Sequence, residues 1–194
     1  SGTVVDLAGK TDPSVILPEG AKGQVIAFGG QGFYVPTYLV EANPGLKSVS
    51  DLPQYKHLFT DPNDPSKGAV MNCIIGWQCQ KINRAKWFAY DLYDTYNVVE
   101  PGGGAALKAA IVGPYAAEEA FLSYYWEPTS VVNLRDLTLL EEPKWTSECQ
   151  EALDAAVQEE PYESTMGCAF PAGDVHVGVH KSLIERAPEA TEFL

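Results

Sequence analysis

Between Gly32 and Pro128 the chain alternates short apolar runs with segments of helical spacing, and this alternation restricts the fold more than any other feature. Residues 70–73 read as a short strand, and residues 78–93 follow with Ile82, Ala85, Phe88, Ala89 and Leu92 on one helical face. Residues 96–100 are again strand-like, Pro101-Gly102-Gly103-Gly104 is a turn, and residues 105–112 are alanine-rich and helical, with an interruption expected at Pro114. Residues 120–126 form another strand of the buried type. Strand then helix, repeated, favours a mostly parallel sheet covered by helices on both faces.

Two joints flank this stretch. Residues 20–32 are glycine-rich around Val25-Ile26-Ala27-Phe28, a strand delivered into a flexible connection, and a second boundary falls at residues 128–133. Beyond it, residues 137–141 are strand-like, residues 147–158 are helical with Ser147 placed to cap them, and Val175-His176-Val177-Gly178-Val179-His180 alternates with period two. Residues 183–194 read as helical but divided at Pro188. The chain stops inside that pattern and begins without an obvious first strand, so a longer parent protein is expected.

Lys and Arg number 13 against 26 Asp and Glu, a net charge of −13, which disfavours nucleic acid as a partner because phosphate binding begins with a basic surface. Hydrophobic residues make up 45%, enough for a core, yet no run approaches the roughly 18 to 20 apolar residues of a membrane span. The chain is therefore not expected to cross a membrane. Its opening residues, Ser1-Gly2-Thr3, do not begin a charged and apolar leader, so any export signal is expected to lie outside this sequence.

Side chains that invite a chemical reading mostly have plainer ones. The doublets Glu118-Glu119, Glu141-Glu142 and Glu159-Glu160 read as solvated surface, since neighbours point different ways and acidic groups are seldom buried unpaired. His176 and His180 stand about 13 Å apart on a strand, too far to share a metal, and His57 has no companion. No GxSxG, HExxH or P-loop is present, so no cofactor, metal or enzymatic activity is expected. Cys73, Cys79, Cys149 and Cys168 allow three pairings, and none forms a CxxC; a disulfide framework and free buried thiols both remain open, with an oxidising compartment as the working assumption. Gly102–Gly104 reads as a tight turn and helix start, with a ligand-facing loop as the alternative.

The aromatic residues say more. Trp77 lies between two cysteines just before a helix, and Tyr124-Tyr125-Trp126 ends a strand; both lie at carboxyl ends of strands, where α/β folds place ligands. Packing in the core is the alternative for such rings. A ring wall beside helix N-terminal amides suits a ligand with a cationic head and an anionic tail. Aromatic faces attract a cationic head, while a carboxylate takes the oriented amides.

The segment Cys73 to Cys79 with Gly76-Trp77-Gln78-Cys79, then Pro101-Gly102-Gly103-Gly104-Ala105-Ala106-Leu107, then Tyr124-Tyr125-Trp126-Glu127-Pro128-Thr129, resembles the substrate-binding proteins of glycine betaine/proline betaine/choline ABC transporters. Gly32-Phe33-Tyr34-Val35-Pro36 and Gly167-Cys168-Ala169-Phe170-Pro171 are similar to further landmarks of that family, in the same order. The resemblance implies a type II periplasmic-binding-protein-like α/β fold, with one complete three-layer lobe and part of a second. Residues 1–30 would be hinge and partial lobe one, 31–130 lobe two with the ligand-binding segments, and 131–194 the return to lobe one. It implies that Trp77 and Trp126 wall a cage for a quaternary ammonium head, that the Gln78 and Cys79 amides take a carboxylate, and that Tyr125 and Tyr34 border the ligand. It also implies disulfides Cys73–Cys79 and Cys149–Cys168, an ABC transporter permease as partner, and an extracytoplasmic location, periplasmic or tethered to the outer face of the membrane. Many relatives carry glycine where Gln78 stands, and the family's first segment, with a further cage aromatic, is not in this sequence. A sensor or interaction module using the same lobe, and a secreted enzyme acting on a small zwitterion, are the alternatives from other classes.

Overall fold

A computed structural model describes residues 3–5, 11–16, 30–171 and 179–193. The chain divides into two compact units, one of Ser1–Phe28 with Ala172–Leu194 and one of Gly29–Pro171. The first unit contains β1 (Thr3–Val5) and β2 (Thr11–Ile16), which pair antiparallel.

The second unit opens with β3 (Gln31–Pro36) and α1 (Thr37–Ala42), then α2 (Leu52–Tyr55) set between two short 3-10 turns. β4 (Thr60–Asp61), β5 (Asp64–Met71), α3 (Gln78–Ala89), β6 (Tyr96–Val99), α4 (Gly104–Ala116) and β7 (Ser123–Trp126) follow as the alternating stretch. α5 (Ser130–Asn133), β8 (Leu137–Leu139) and α6 (Ser147–Ala156) complete it. The sheet order is β4-β5-β7-β3-β8, with β6 also on β5. The unit is an α/β lobe.

Where helices connect the strands the sheet is parallel, as the alternation requires: β5 pairs in parallel with β6 through Gly68–Met71 and with β7 at Met71 and Ser123. β3 departs from the expected parallel order and runs antiparallel to both β7 and β8. It is the first strand of its unit, so no strand–helix–strand crossover within the unit sets its direction. β8 also joins on β3, so the sheet carries residues on both sides of the boundary expected at 128–133.

The core is built from alternate and adjacent apolar residues of buried strands. Phe33, Tyr34 and Val35 of β3, Val70, Tyr96 and Tyr124 meet Trp87 and Leu92 from α3 and its C-terminal side, and Leu107 and Ile111 from α4. Phe33 and Trp87 pack edge-on at 4.8 Å, a preferred aromatic arrangement. A second cluster joins Ile82 and Ala85 of α3 to Cys149 and Leu153 of α6, together with Tyr162 and Cys168.

Four local expectations change. The buried side of α3 comprises Gln80, Ile82, Asn83, Ala85, Lys86 and Trp87, while Phe88 is exposed, because the helix packs on both the sheet core and α6. α4 runs through Pro114, whose place near the helix end leaves little ladder to disrupt; the Ala117 N–H bonds back to the Gly113 carbonyl. Thr146, not Ser147, caps α6, its hydroxyl accepting the Cys149 N–H at 3.1 Å. Glu142 leaves the solvated class: its side chain is 3% exposed and pairs with Lys86, itself fully buried.

In the first unit, β9 (Val179–His180) pairs antiparallel with β2, and α7 (Lys181–Arg186) and α8 (Pro188–Phe193) follow, divided at Pro188 as its missing N–H predicts. The His180 Nδ1 accepts the Ser182 N–H at the start of α7. The expected strand Val25-Ile26-Ala27-Phe28 lies outside the described residues, as does His176.

Candidate functional site

Because β5, β6 and β7 run parallel, the segments leaving their carboxyl ends share one edge of the lobe. After β5 comes the loop Cys73-Ile74-Ile75-Gly76-Trp77, closed by a disulfide between Cys73 and Cys79 with Cα atoms 5.8 Å apart. Gly76 sits at φ +88°, a left-handed conformation open to glycine at no steric cost, and the Trp77 N–H donates to the Ile74 carbonyl at 3.1 Å. The chain then enters α3 at once: Trp77 is the residue preceding its first turn, and Gln78 and Cys79 are its first two helical residues. The first N–H groups of a helix have no partner within it and carry the positive end of its dipole, so this edge presents oriented donors.

After β6, Pro101 and the glycine turn lead into α4, and Gly104 lies near Ile74 of the cysteine loop, so a side chain there would touch its Cδ1 atom at 3.7 Å. At the end of β7, Trp126 reaches Trp77 with ring centroids 5.7 Å apart and planes inclined at 47°. Tyr125 stacks on Trp126 at 4.5 Å, and Tyr124 lies 6.2 Å from it. Trp77 is 49% exposed and Ile75 60%, unusual for large apolar groups in so small a loop.

Of the residues singled out in the sequence, Trp77, Gln78, Cys79 and Trp126 come together at this edge. Tyr125 is 6% exposed and reaches the edge through its stack on Trp126. Tyr34 is buried: it stands opposite Ser123 on β7, and its hydroxyl donates to the Gly30 carbonyl at 2.9 Å. Burial, helped by the nearby Glu127 charge, raises the Tyr34 phenol well above its ordinary value, so it stays protonated. The second disulfide joins Cys149 in α6 to Cys168.

Two features escaped the sequence reading. Gln31 pairs with Trp126 across β3 and β7, and its side-chain carbonyl accepts the Tyr124 hydroxyl at 2.6 Å. Behind the cysteine loop, Asn72, Gln80, Arg84 and Glu100 form a hydrogen-bonded group, with Arg84 and Glu100 ion-paired at 2.8 Å. Only the adjacency of β5, β6 and α3 brings these residues together, so no spacing in the sequence marks them. Among the described residues no group of three or more His, Cys, Asp or Glu side chains could hold a metal ion, and no helix is long and apolar enough to cross a membrane.

The family model for the substrate-binding domain of the ABC-type glycine betaine transport system matches residues 19–194. The glycine betaine/proline betaine-binding periplasmic protein of Salmonella typhimurium is 25% identical over 180 residues, covering 89% of this chain and 52% of that protein. The chain thus spans about half the length of the curated relative it matches. Similar solved structures include the glycine betaine/L-proline-binding protein of Borrelia burgdorferi, 20% identical with a TM-score of 0.49 over 83% of this chain and 48% of that one. Lactococcal OpuAC complexed with glycine betaine is 19% identical with a TM-score of 0.48, over 86% of this chain and 51% of that one. A choline-binding protein in complex with choline is 17% identical with a TM-score of 0.47, over 93% and 52%.

Proposed function

The chain belongs to the family of substrate-binding domains of ABC-type glycine betaine transport systems, and from that premise we propose that it binds a quaternary ammonium compatible solute outside the cytoplasm and presents it to an ABC transporter permease. One observation carries the reading: the Trp77 and Trp126 rings stand 5.7 Å apart at the N-terminus of α3. A cation is attracted within about 6 Å of a ring centroid, so one trimethylammonium head can lie in the angle between these two inclined faces and be held by both. The N–H groups of Gln78 and Cys79 then stand within a residue or two of that head, ready for a carboxylate. The disulfide on Cys79 restrains both halves of this arrangement before the ligand arrives, which lowers the ordering cost of binding.

Tyr125 supports Trp126 by stacking, and Tyr34 acts from behind, holding the Gly30 carbonyl that also accepts the Glu127 N–H next to Trp126. The Gln78 side chain is exposed beside the amides and narrows the space for a ligand's anionic end. Residues 31–130 supply the ligand-binding segments, and residues 131–171 fold into the same unit with them. Binding of this kind makes and breaks no covalent bond, and no catalysis is proposed.

The test is a thermal-shift and calorimetry panel of glycine betaine, proline betaine, choline, carnitine and dimethylsulfoniopropionate. Saturable binding of at least one of them, competed by the others, is expected. Binding of none of the five overturns the proposal.

A further inference from the structure

We propose that Asn72 is the positioning residue of this site, the side chain that sets where Trp77 and the first amides of α3 stand; the proposal rests on the binding reading above. Asn72 is 1% exposed, at the point where β5 gives way to the cysteine loop. Its Oδ1 accepts the Cys73 N–H at 2.7 Å and the Asn83 Nδ2 at 2.9 Å. Its Nδ2 donates to the backbone carbonyl of Gln80 at 3.2 Å. The Gln80 N–H in turn donates to the Trp77 carbonyl at 3.1 Å. One amide therefore grips the residue that opens the loop and the turn that follows its close, and it does so on both sides of Trp77.

The orientation of that amide is dictated as well. Glu100 places a carboxylate against it, with Oε1 at 3.2 Å and Oε2 at 3.3 Å from Nδ2, and a carboxylate can only accept. A reversed amide would set its oxygen against the Glu100 carboxylate and the Gln80 carbonyl, three acceptors without a donor. Glu100 is held in place by Arg84 at 2.8 Å and by the Gln80 Nε2 at 3.2 Å. With Nδ2 committed there, Oδ1 must face the Cys73 N–H. The disulfide limits how far the loop ends can separate, but a seven-residue ring closed at one bond retains freedom at Ile75, Gly76 and Trp77. The Asn72 contacts remove it, which is a contribution to preorganisation and leaves the pocket surface itself unchanged.

The experiment compares the wild-type protein with Asn72→Ala and with Tyr96→Phe, which deletes an equally buried hydrogen bond, from the Tyr96 hydroxyl to the Leu52 carbonyl, in the same lobe. Calorimetry with glycine betaine and amide hydrogen exchange over residues 73–80 are read for each. Asn72→Ala is expected to weaken glycine betaine at least tenfold and to speed exchange over that segment at least tenfold, while Tyr96→Phe leaves both within twofold at a similar loss of melting temperature. Should Asn72→Ala not fold, Asn72→Ser, which keeps an acceptor for Cys73 but loses the reach to Gln80, is expected to show at least a threefold effect in both measurements. Affinity and exchange within twofold of wild type in the folded Asn72 variant, or equal losses in Tyr96→Phe, overturn the proposal. A wild-type protein that binds none of the five panel ligands counts against the functional reading alone, and the exchange comparison still decides the role of Asn72.

Discussion

Glu142→Gln tests the most unusual group in the lobe. The Lys86 ammonium is fully buried against the Glu142 carboxylate, 4.2 Å from the centre of the Phe170 ring and 5.4 Å from that of Phe33. The Tyr90 hydroxyl donates to the same carboxylate oxygen at 2.9 Å. Burial pulls the Lys86 ammonium below the ordinary lysine range, and the Glu142 charge opposes that pull. Glutamine preserves shape and the bond to Tyr90 but removes the charge. The two ring faces return on the order of 0.5 to 2 kcal/mol, too little to hold an unpaired cation out of water. The lysine's remaining course is to lose its proton, and each pH unit below about 10.4 then costs about 1.4 kcal/mol, which caps the penalty near 5 kcal/mol at pH 7. We expect Glu142→Gln to cost about 3 to 5 kcal/mol at that pH. The folded variant binds fewer protons than the unfolded chain, so its stability climbs with pH by up to about 1.4 kcal/mol per unit until lysine discharges in both states. Lys86→Met/Glu142→Gln removes both charges and should lie within about 2 kcal/mol of wild type, without that slope. Urea unfolding followed by tryptophan fluorescence from pH 6 to pH 9 measures all three proteins. A Glu142→Gln protein within about 1 kcal/mol of wild type at pH 7, with the pH slope of the double variant, would refute the reasoning.

Trp77→Ala and Trp126→Ala should each weaken a quaternary ammonium ligand by roughly 1 to 3 kcal/mol in calorimetry, with phenylalanine retaining more affinity than alanine; wild-type affinity in both alanine variants would remove these rings from the site. Thr146→Ala should destabilise the lobe by about 1 kcal/mol in urea, through loss of the α6 cap. Cys149→Ser/Cys168→Ser should cost about 2 to 4 kcal/mol, since that disulfide closes a separation of 19 residues. Gly68→Ala should cost about 1 to 3 kcal/mol because its methyl group would collide with the Tyr96 ring; an unchanged unfolding midpoint would contradict that packing.

What could be read from the sequence was what local spacing determines. The start of α3 at Gln78, the glycine turn before α4, the strand at Tyr96 and the break at Pro188 all follow from periodicity or from the stereochemistry of glycine and proline. Trp77 and Trp126 could be nominated because both follow strands of one parallel set, and parallel strands end on one edge. The groups that escaped depend on distant partners. Lys86 and Glu142 look like ordinary surface charges until β3, α3 and the segment after β8 are packed together. Asn72 and Glu100 are unremarkable until β5 and β6 pair. The exposure of Phe88 likewise reflects two packing partners for α3, which a single-helix pattern does not contain.

The sheltered lysine also sets a timetable for synthesis. Its surroundings come from Phe33, Glu142 and Phe170, so the last wall leaves the ribosome 84 residues after the lysine itself. At roughly 5 to 20 residues per second, that delay is about 4 to 17 s. Throughout it the ammonium stays in water, and the side of α3 that carries it has no finished surface to pack on. A nascent chain in this interval offers holding factors a stretch of unfolded polypeptide, and the interval can close only once Phe170 has been made.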